Sequence, residues 1–155
     1  MRARELADQY PTVTLETDAF EAAKLMGRQR LVGLIVVADD GHPYTVLPGS
    51  QVLRFIIPQY VQDDLALSRV YDEKASDEMC RKLEGRTVRD VLPSKEQDMD
   101  ELPVVDGDAT TIEVAAVMAR MHSPVVAVVE DSDVVGAITV SKLLGYLLPD
   151  LEKPR

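Results

Sequence analysis

Glu21-Ala22-Ala23-Lys24-Leu25-Met26 returns 92 positions later as Glu113-Val114-Ala115-Ala116-Val117-Met118. At the same offset Arg28 meets Arg120, Val36-Val37 meet Val128-Val129, and Asp39 meets Asp131. After a one-residue slip the match resumes, Ser50 with Ser141, Leu53 with Leu144 and Pro58 with Pro149. Duplicated units that cannot bury their apolar faces alone stack on one another, and the stack leaves a pseudo-symmetric cleft between them. The repeat points to a fold and to a place where a ligand would sit.

Each copy has the same order of elements. Thr14-Leu15-Glu16-Thr17-Asp18 leads into a helix with Ala19, Ala22, Ala23 and Met26 at helical spacing, with Thr17 or Asp18 as the N-cap and Glu21 at capping-box distance. Residues 31–38 are apolar and β-branched and run into Asp39-Asp40-Gly41, which predicts a buried strand and a tight turn. A returning strand follows over 44–47, then a helix over 50–57 stopped by Pro58. The second copy predicts a helix over 111–121, a strand over 125–130, the turn Asp131-Ser132-Asp133, a strand over 134–138 and a helix over 141–148 stopped by Pro149. The lead-ins correspond too: Arg2-Ala3-Arg4-Glu5-Leu6 resembles Thr87-Val88-Arg89-Asp90-Val91. Each precedes a short extended segment, Thr12-Val13-Thr14 or Pro103-Val104-Val105.

The division expected from this pattern is a first repeat over 1–58, a helical insertion over 59–85, a second repeat over 86–149 and a tail over 150–155. In the insertion Leu67, Tyr71, Ala75, Met79 and Leu83 recur every four residues, as one long helix or two short ones would require. Ser76 is placed to cap a helix with Asp77 and Glu78 in its first turn and Gly85 beyond its end. Residues 94–101 read as an exposed loop and 152–155 as a frayed end.

A chain of 155 residues, 46% of them hydrophobic, has the size of one domain with a real core. The net charge of −10, from 27 acids against 17 bases, argues against a nucleic-acid binder, which needs a basic face to neutralise phosphates. No apolar run, Val125 to Val129 included, is long enough to cross a bilayer, and Met1-Arg2-Ala3-Arg4-Glu5 opens with charge rather than an apolar leader. A single cysteine, Cys80, fits a reducing compartment, and the expected location is the cytoplasm. Two histidines 80 positions apart and one cysteine give no metal-ligand spacing. No nucleophile elbow, P-loop or dinucleotide fingerprint occurs, so no catalytic residue is assigned and no cofactor is required.

The ordered duplication resembles a tandem pair of CBS domains, the Bateman module. Its most specific stretch is Val135-Gly136-Ala137-Ile138-Thr139-Val140-Ser141-Lys142-Leu143-Leu144, similar to the family pattern of glycine, apolar pair, hydroxyl residue, acid and leucines. Arg86-Thr87-Val88-Arg89-Asp90-Val91-Leu92 is similar to the usual opening of such a domain. The resemblance implies an α/β fold of two β-α-β-β-α units packed through small sheets. It also implies pairing of two such modules as a homodimer. The implied function is regulatory: an adenine nucleotide or another adenosyl ligand, S-adenosylmethionine included, binds the cleft and modulates a partner, a transporter or a metabolic enzyme. By the same resemblance Thr139 contacts phosphate, with Gly136, Ser141 and Lys142 beside it. Ser123-Pro124-Val125 lines the base pocket, and Val104, Val105 and Asp106 close its other side. A weaker site in the first copy would draw on Val13, Thr14, Val32, Gly33 and Gln51.

The sequence departs from the family where the ribose-binding acid should stand: Lys142 in the second copy, Gln51 in the first. Thr45 replaces the first copy's glycine and Pro48 its hydroxyl residue, although Ser50 remains available as a helix cap. These departures keep open a second reading, a module that has lost its ligand and serves dimerisation or protein contact. A third, an enzyme using Cys80 or His122, has nothing behind it beyond the presence of those residues.

Overall fold

The computed structural model describes residues 1–93 and 102–148, so the expectations for 94–101 and for the C-terminal tail lie outside the described residues. In chain order the elements of the first half are α1 (Ala3–Leu6), β1 (Thr12–Thr14), α2 (Ala19–Arg28), β2 (Gly33–Val37), β3 (Pro43–Pro48) and α3 (Gly49–Ile56). The insertion carries α4 (Gln59–Asp63), a 3-10 segment Leu65–Val70, α5 (Glu73–Cys80) and a 3-10 turn Arg81–Leu83. The second half runs α6 (Val88–Val91), β4 (Val104–Asp106), α7 (Thr111–Met121), β5 (Val125–Glu130), β6 (Asp133–Thr139) and α8 (Val140–Leu147).

The repeat is a repeat of topology. Each half forms a three-stranded sheet, β1-β2-β3 or β4-β5-β6, parallel in its first pair and antiparallel in its second. Both hairpins carry a register shift at matching places, Val36/Val37 and Val128/Val129. Alternation along the strands builds three layers, because successive side chains face opposite sides of a sheet. Leu34 and Val36 point to the helices of the first repeat, and Val126, Val128 and Ile138 to those of the second. Ile35, Val125, Ala127 and Ala137 face the other way and form the seam between the two sheets. Each fully buried Leu, Ile or Val contributes about 1.5–3 kcal/mol, so the seam is a core rather than a loose contact.

The lead-in helices are exchanged. Ala3 and Leu6 of α1 are buried in the second repeat's core, whereas Val88 and Val91 of α6 are buried in the first repeat's. Ala3 N donates to Ala109 O at 2.9 Å and Arg4 N to Gly107 O at 3.0 Å; symmetrically, Val88 N donates to Thr17 O at 2.9 Å and Arg89 N to Leu15 O at 3.0 Å. Corresponding arginines fix each crossing: Arg4 meets Asp108 and Glu130, both at 2.6 Å, and Arg89 meets Glu16 at 2.7 Å. Hydrogen bonds to Glu130 and Asp108 raise the pKa of Arg4, and the bond to Glu16 raises that of Arg89. The chain thus crosses between the repeats directly after α1, over residues 7–11.

Local differences from the expectations have plain causes. Asp18 is the cap of α2, accepting from Glu21 N at 2.9 Å. Ser76 caps nothing: α5 starts earlier, at Glu73, because Asp72 accepts from Ala75 N at 2.9 Å. Ser50 is not a cap either, since α3 begins at Gly49 with Pro48 at the N-cap and no side-chain hydrogen bond there. The insertion's four-residue periodicity is split among short pieces, with only Val61 and Leu83 buried. Neither α2 nor α7 ends on a glycine. Arg30 (φ 55°) and His122 (φ 50°), again 92 positions apart, take the left-handed conformation at the ends of these helices. Histidine is enriched there among non-glycine residues; arginine accepts about 1 kcal/mol of strain.

Candidate functional site

Two clefts lie along the boundary of the repeats, and each takes its walls from both. The first, about 580 Å³, is lined on one side by Leu31, Val32, Thr45, Val46, Pro48, Gly49 and Ser50 of the first repeat. Its other wall is Pro103, Met121, His122, Ser123 and Pro124 of the second. The second cleft, about 510 Å³, sets Gln9, Tyr10, Pro11, Thr12 and Gln29 against Val134, Val135 and Gly136. Pro11 and Pro103 correspond at the repeat offset, as do Gln29 and Met121, so the clefts are pseudo-symmetric mates.

The residues implied by resemblance do not gather in one place. Ser123, Pro124 and Val32 meet in the first cleft, where the Ser123 hydroxyl donates to the Val125 carbonyl at 2.6 Å. Gly136 lines the second cleft. Thr139 caps α8, its Oγ1 accepting from Lys142 N at 3.2 Å and lying 3.2 Å from Ser141 Oγ. The Lys142 ammonium is 3.3 Å from an Asp8 carboxylate oxygen brought by the crossing segment. Val13 and Val105 belong to the helix-side cores, and Val125 is fully buried in the seam, where Val104 packs against it. Asp106 is exposed and accepts from Asp108 N at 2.9 Å. Thr14 closes a turn with Thr17, and the Gln51 amide donates to the Val91 carbonyl at 2.9 Å, tying α3 to α6.

Gly136 has a physical reason for being glycine. Asp8 pairs with Ala137 in both directions, N to O at 3.0 Å and 2.9 Å, laying the crossing segment along β6. A Cβ on Gly136 would lie 2.7 Å from the Asp8 carbonyl oxygen. Two strands are that close only where no side chain stands between them.

Sequence reasoning missed Tyr10, Pro11, Gln29, Pro103 and Met121. The matching prolines were visible at the repeat offset, but nothing in the sequence marks a lead-in as lying against the opposite repeat. Tyr10 is half-buried in the seam and its hydroxyl donates to the Gly33 carbonyl at 2.6 Å. Burial raises its pKa above the ordinary 10.0, so the fold holds the protonated phenol. That contribution is fully present below about pH 10 and is lost as pH rises through the raised value. Tyr10→Phe is therefore expected to cost about 1 kcal/mol at neutral pH and to flatten the alkaline fall in stability, as read from urea midpoints on either side of about pH 10.

Among the described residues no group of histidine, cysteine and acidic side chains could hold a metal ion, and no helix is long and apolar enough to cross a membrane. Cys80 is a free, half-buried thiol packed against the first repeat's core. His42 sits in an exposed turn with its Nδ1 3.1 Å from Asp40.

Comparison with known families settles what this architecture is. The CBS domain model matches residues 3–49 and again 88–149, one match per sheet. The chain belongs to the CBS domain family. A CBS domain-containing protein of unknown function from Kribbella flavida DSM 17836 is 50% identical, with 96% of this chain and 99% of that one covered at a TM-score of 0.81. The CBS domain of a CBS domain-containing membrane protein from Sphaerobacter thermophilus shares the fold at 23% identity and a TM-score of 0.70, over 96% of this chain and 88% of that one. So does CBSX2, solved in complex with AMP, at 16% identity and a TM-score of 0.63, over 94% of each chain. None of the curated proteins compared with the chain matches it. The CBS pair is a regulatory module, and members of the family often bind adenosine ligands.

Proposed function

We propose that this CBS pair is a sensor that binds an adenosine-containing ligand between its repeats and modulates a partner protein in trans. The observation that carries the reading is the construction of the first cleft, whose walls come from both repeats. A molecule held there touches both repeats, so its binding energy differs between arrangements of the repeats. Such a difference is what a ligand needs to shift a conformational equilibrium. Three residues that the family resemblance implies as contacts, Val32, Ser123 and Pro124, line this cleft, which supports the reading. About 580 Å³ falls within the range of small-molecule sites.

Outer helices leave Phe20, Leu53, Ile112, Leu144 and Leu147 exposed, more apolar surface than a lone small domain needs. That supports pairing of two copies through these helices, in the cytoplasm, with the regulated protein docking on the assembly. Thermal unfolding in the presence of AMP, ADP, ATP, adenosine or S-adenosylmethionine tests the sensor. A ligand at a hundred times its Kd adds about 2.7 kcal/mol, a rise in Tm of roughly 5–10 °C. Ser50→Trp, which fills the cleft from an exposed position, is expected to remove the shift. Thr139→Ala costs about 1 kcal/mol as a lost helix cap whether or not ligand is present. No shift with any compound leaves the interaction module as the function.

A further inference from the structure

We infer that the ligand of the first cleft is an adenosyl compound without a phosphate chain, either uncharged or cationic. This rests on the sensor reading above and narrows its ligand class. Leu31, Val32, Val46 and Met121 present apolar surface suited to a purine, and the prolines stiffen the walls. The polar groups offered are hydroxyls, an imidazole and backbone; among the described residues that line the cleft there is no lysine or arginine. Ser123 has already committed its hydroxyl to the Val125 carbonyl, and the Gly49 amide at the start of α3 is bonded to the Val32 carbonyl at 3.0 Å. Pro48 at the cap of that helix has no N–H at all.

Among the described residues, the nearby cations are engaged or aimed elsewhere. Lys142 is held by Asp8, and Arg30, though its neighbour Leu31 lines the cleft, lines a separate apolar groove between α2 and α3. Each phosphate monoester brings up to about two negative charges, which must be paired if they leave water. The described residues of the cleft supply no such pairing, and the net charge of −10 repels polyanions before they arrive. A nucleoside loses none of this, and an adenosyl sulfonium gains from the surrounding negative field.

Isothermal titration of the full chain with adenosine, S-adenosylmethionine, AMP and ATP, at low and at physiological ionic strength, decides the matter. The expected result is that adenosine or S-adenosylmethionine binds at least about tenfold more tightly than ATP. The affinity for adenosine should be flat with salt, because a neutral ligand has nothing to screen. Ser50→Arg, which sets a cation at the cleft wall, is expected to raise the affinity for ATP relative to that for adenosine by about fivefold, the weight of one exposed ion pair. ATP binding as tightly as adenosine to the unaltered chain overturns the inference and leaves the sensor standing. No binding by any of the four overturns both.

Discussion

Leu6→Ala is expected to destabilise the chain by about 2–5 kcal/mol, and to do so in the second repeat although residue 6 belongs to the first in sequence. Leu6 is 4% exposed and packs with Val105, Val114, Met118, Val126 and Ile138 rather than with any residue of β1–β3. Truncation leaves a cavity under β5 and β6, so amide exchange should accelerate there first. Val91→Ala provides the mirror image, since Val91 lies with Leu34, Val36 and Leu47. Urea unfolding gives the size of each loss and native-state hydrogen exchange gives its place. Early loss of protection in β1–β3 of the Leu6 variant would show that the lead-ins are not exchanged.

Gly136→Val should be nearly as damaging, through crowding instead of a void. Its Cβ would stand 2.7 Å from a backbone carbonyl and 3.2 Å from the Ala7 Cβ, so the crossing segment must lift from β6. Overpacking of this kind costs about 1–3 kcal/mol, and separating Asp8 from Ala137 gives up two hydrogen bonds at about 1 kcal/mol each. The sum is on the order of 3–5 kcal/mol. Gly145, nine residues on in α8, is the contrast: a Cβ there meets nothing within 4 Å. Gly145→Ala is expected to stabilise by about 0.5–1 kcal/mol because alanine suits a helix interior better. Denaturation midpoints of the two alanine variants should move in opposite directions, and a neutral Gly136→Ala would remove the argument for close approach.

These two sites show how far the sequence could be read. The offset of 92 exposed the duplication and the order of elements in each copy, but Gly33–Val37 and Val125–Val129 carry no polar alternation, so the sequence does not separate the residues that face helices from those that face the seam. Local rules were enough for the elements themselves, because helix spacing and apolar runs bounded by turns are properties of a few neighbouring residues. Capping was read well where an acid stands next to the helix, as at Asp18, and poorly in the insertion. There Asp72 and Ser76 are both fit to cap, and it is Asp72 that does so, accepting from Ala75 N. The candidate site was legible as a motif but not as a place. Thr139 and Gly136 were marked by resemblance, while Tyr10, Pro103 and His122 reach the clefts from the opposite repeat.

By itself, then, the sequence determined two like units, their strand and helix order, and the apolar face of the helix that opens each unit. The tertiary structure alone decided which core each lead-in joins and which side chains share a cleft. The physical reason is that α1 and α6 are helices of four residues with the same apolar pattern, able to complete either core equally well on local grounds. Their choice is made by chain geometry and by long-range partners: Arg4 with Asp108 and Glu130, Arg89 with Glu16, and the Asp8 backbone against Gly136. Those contacts are separated by 73 to 128 positions in the sequence, where no local spacing rule reaches.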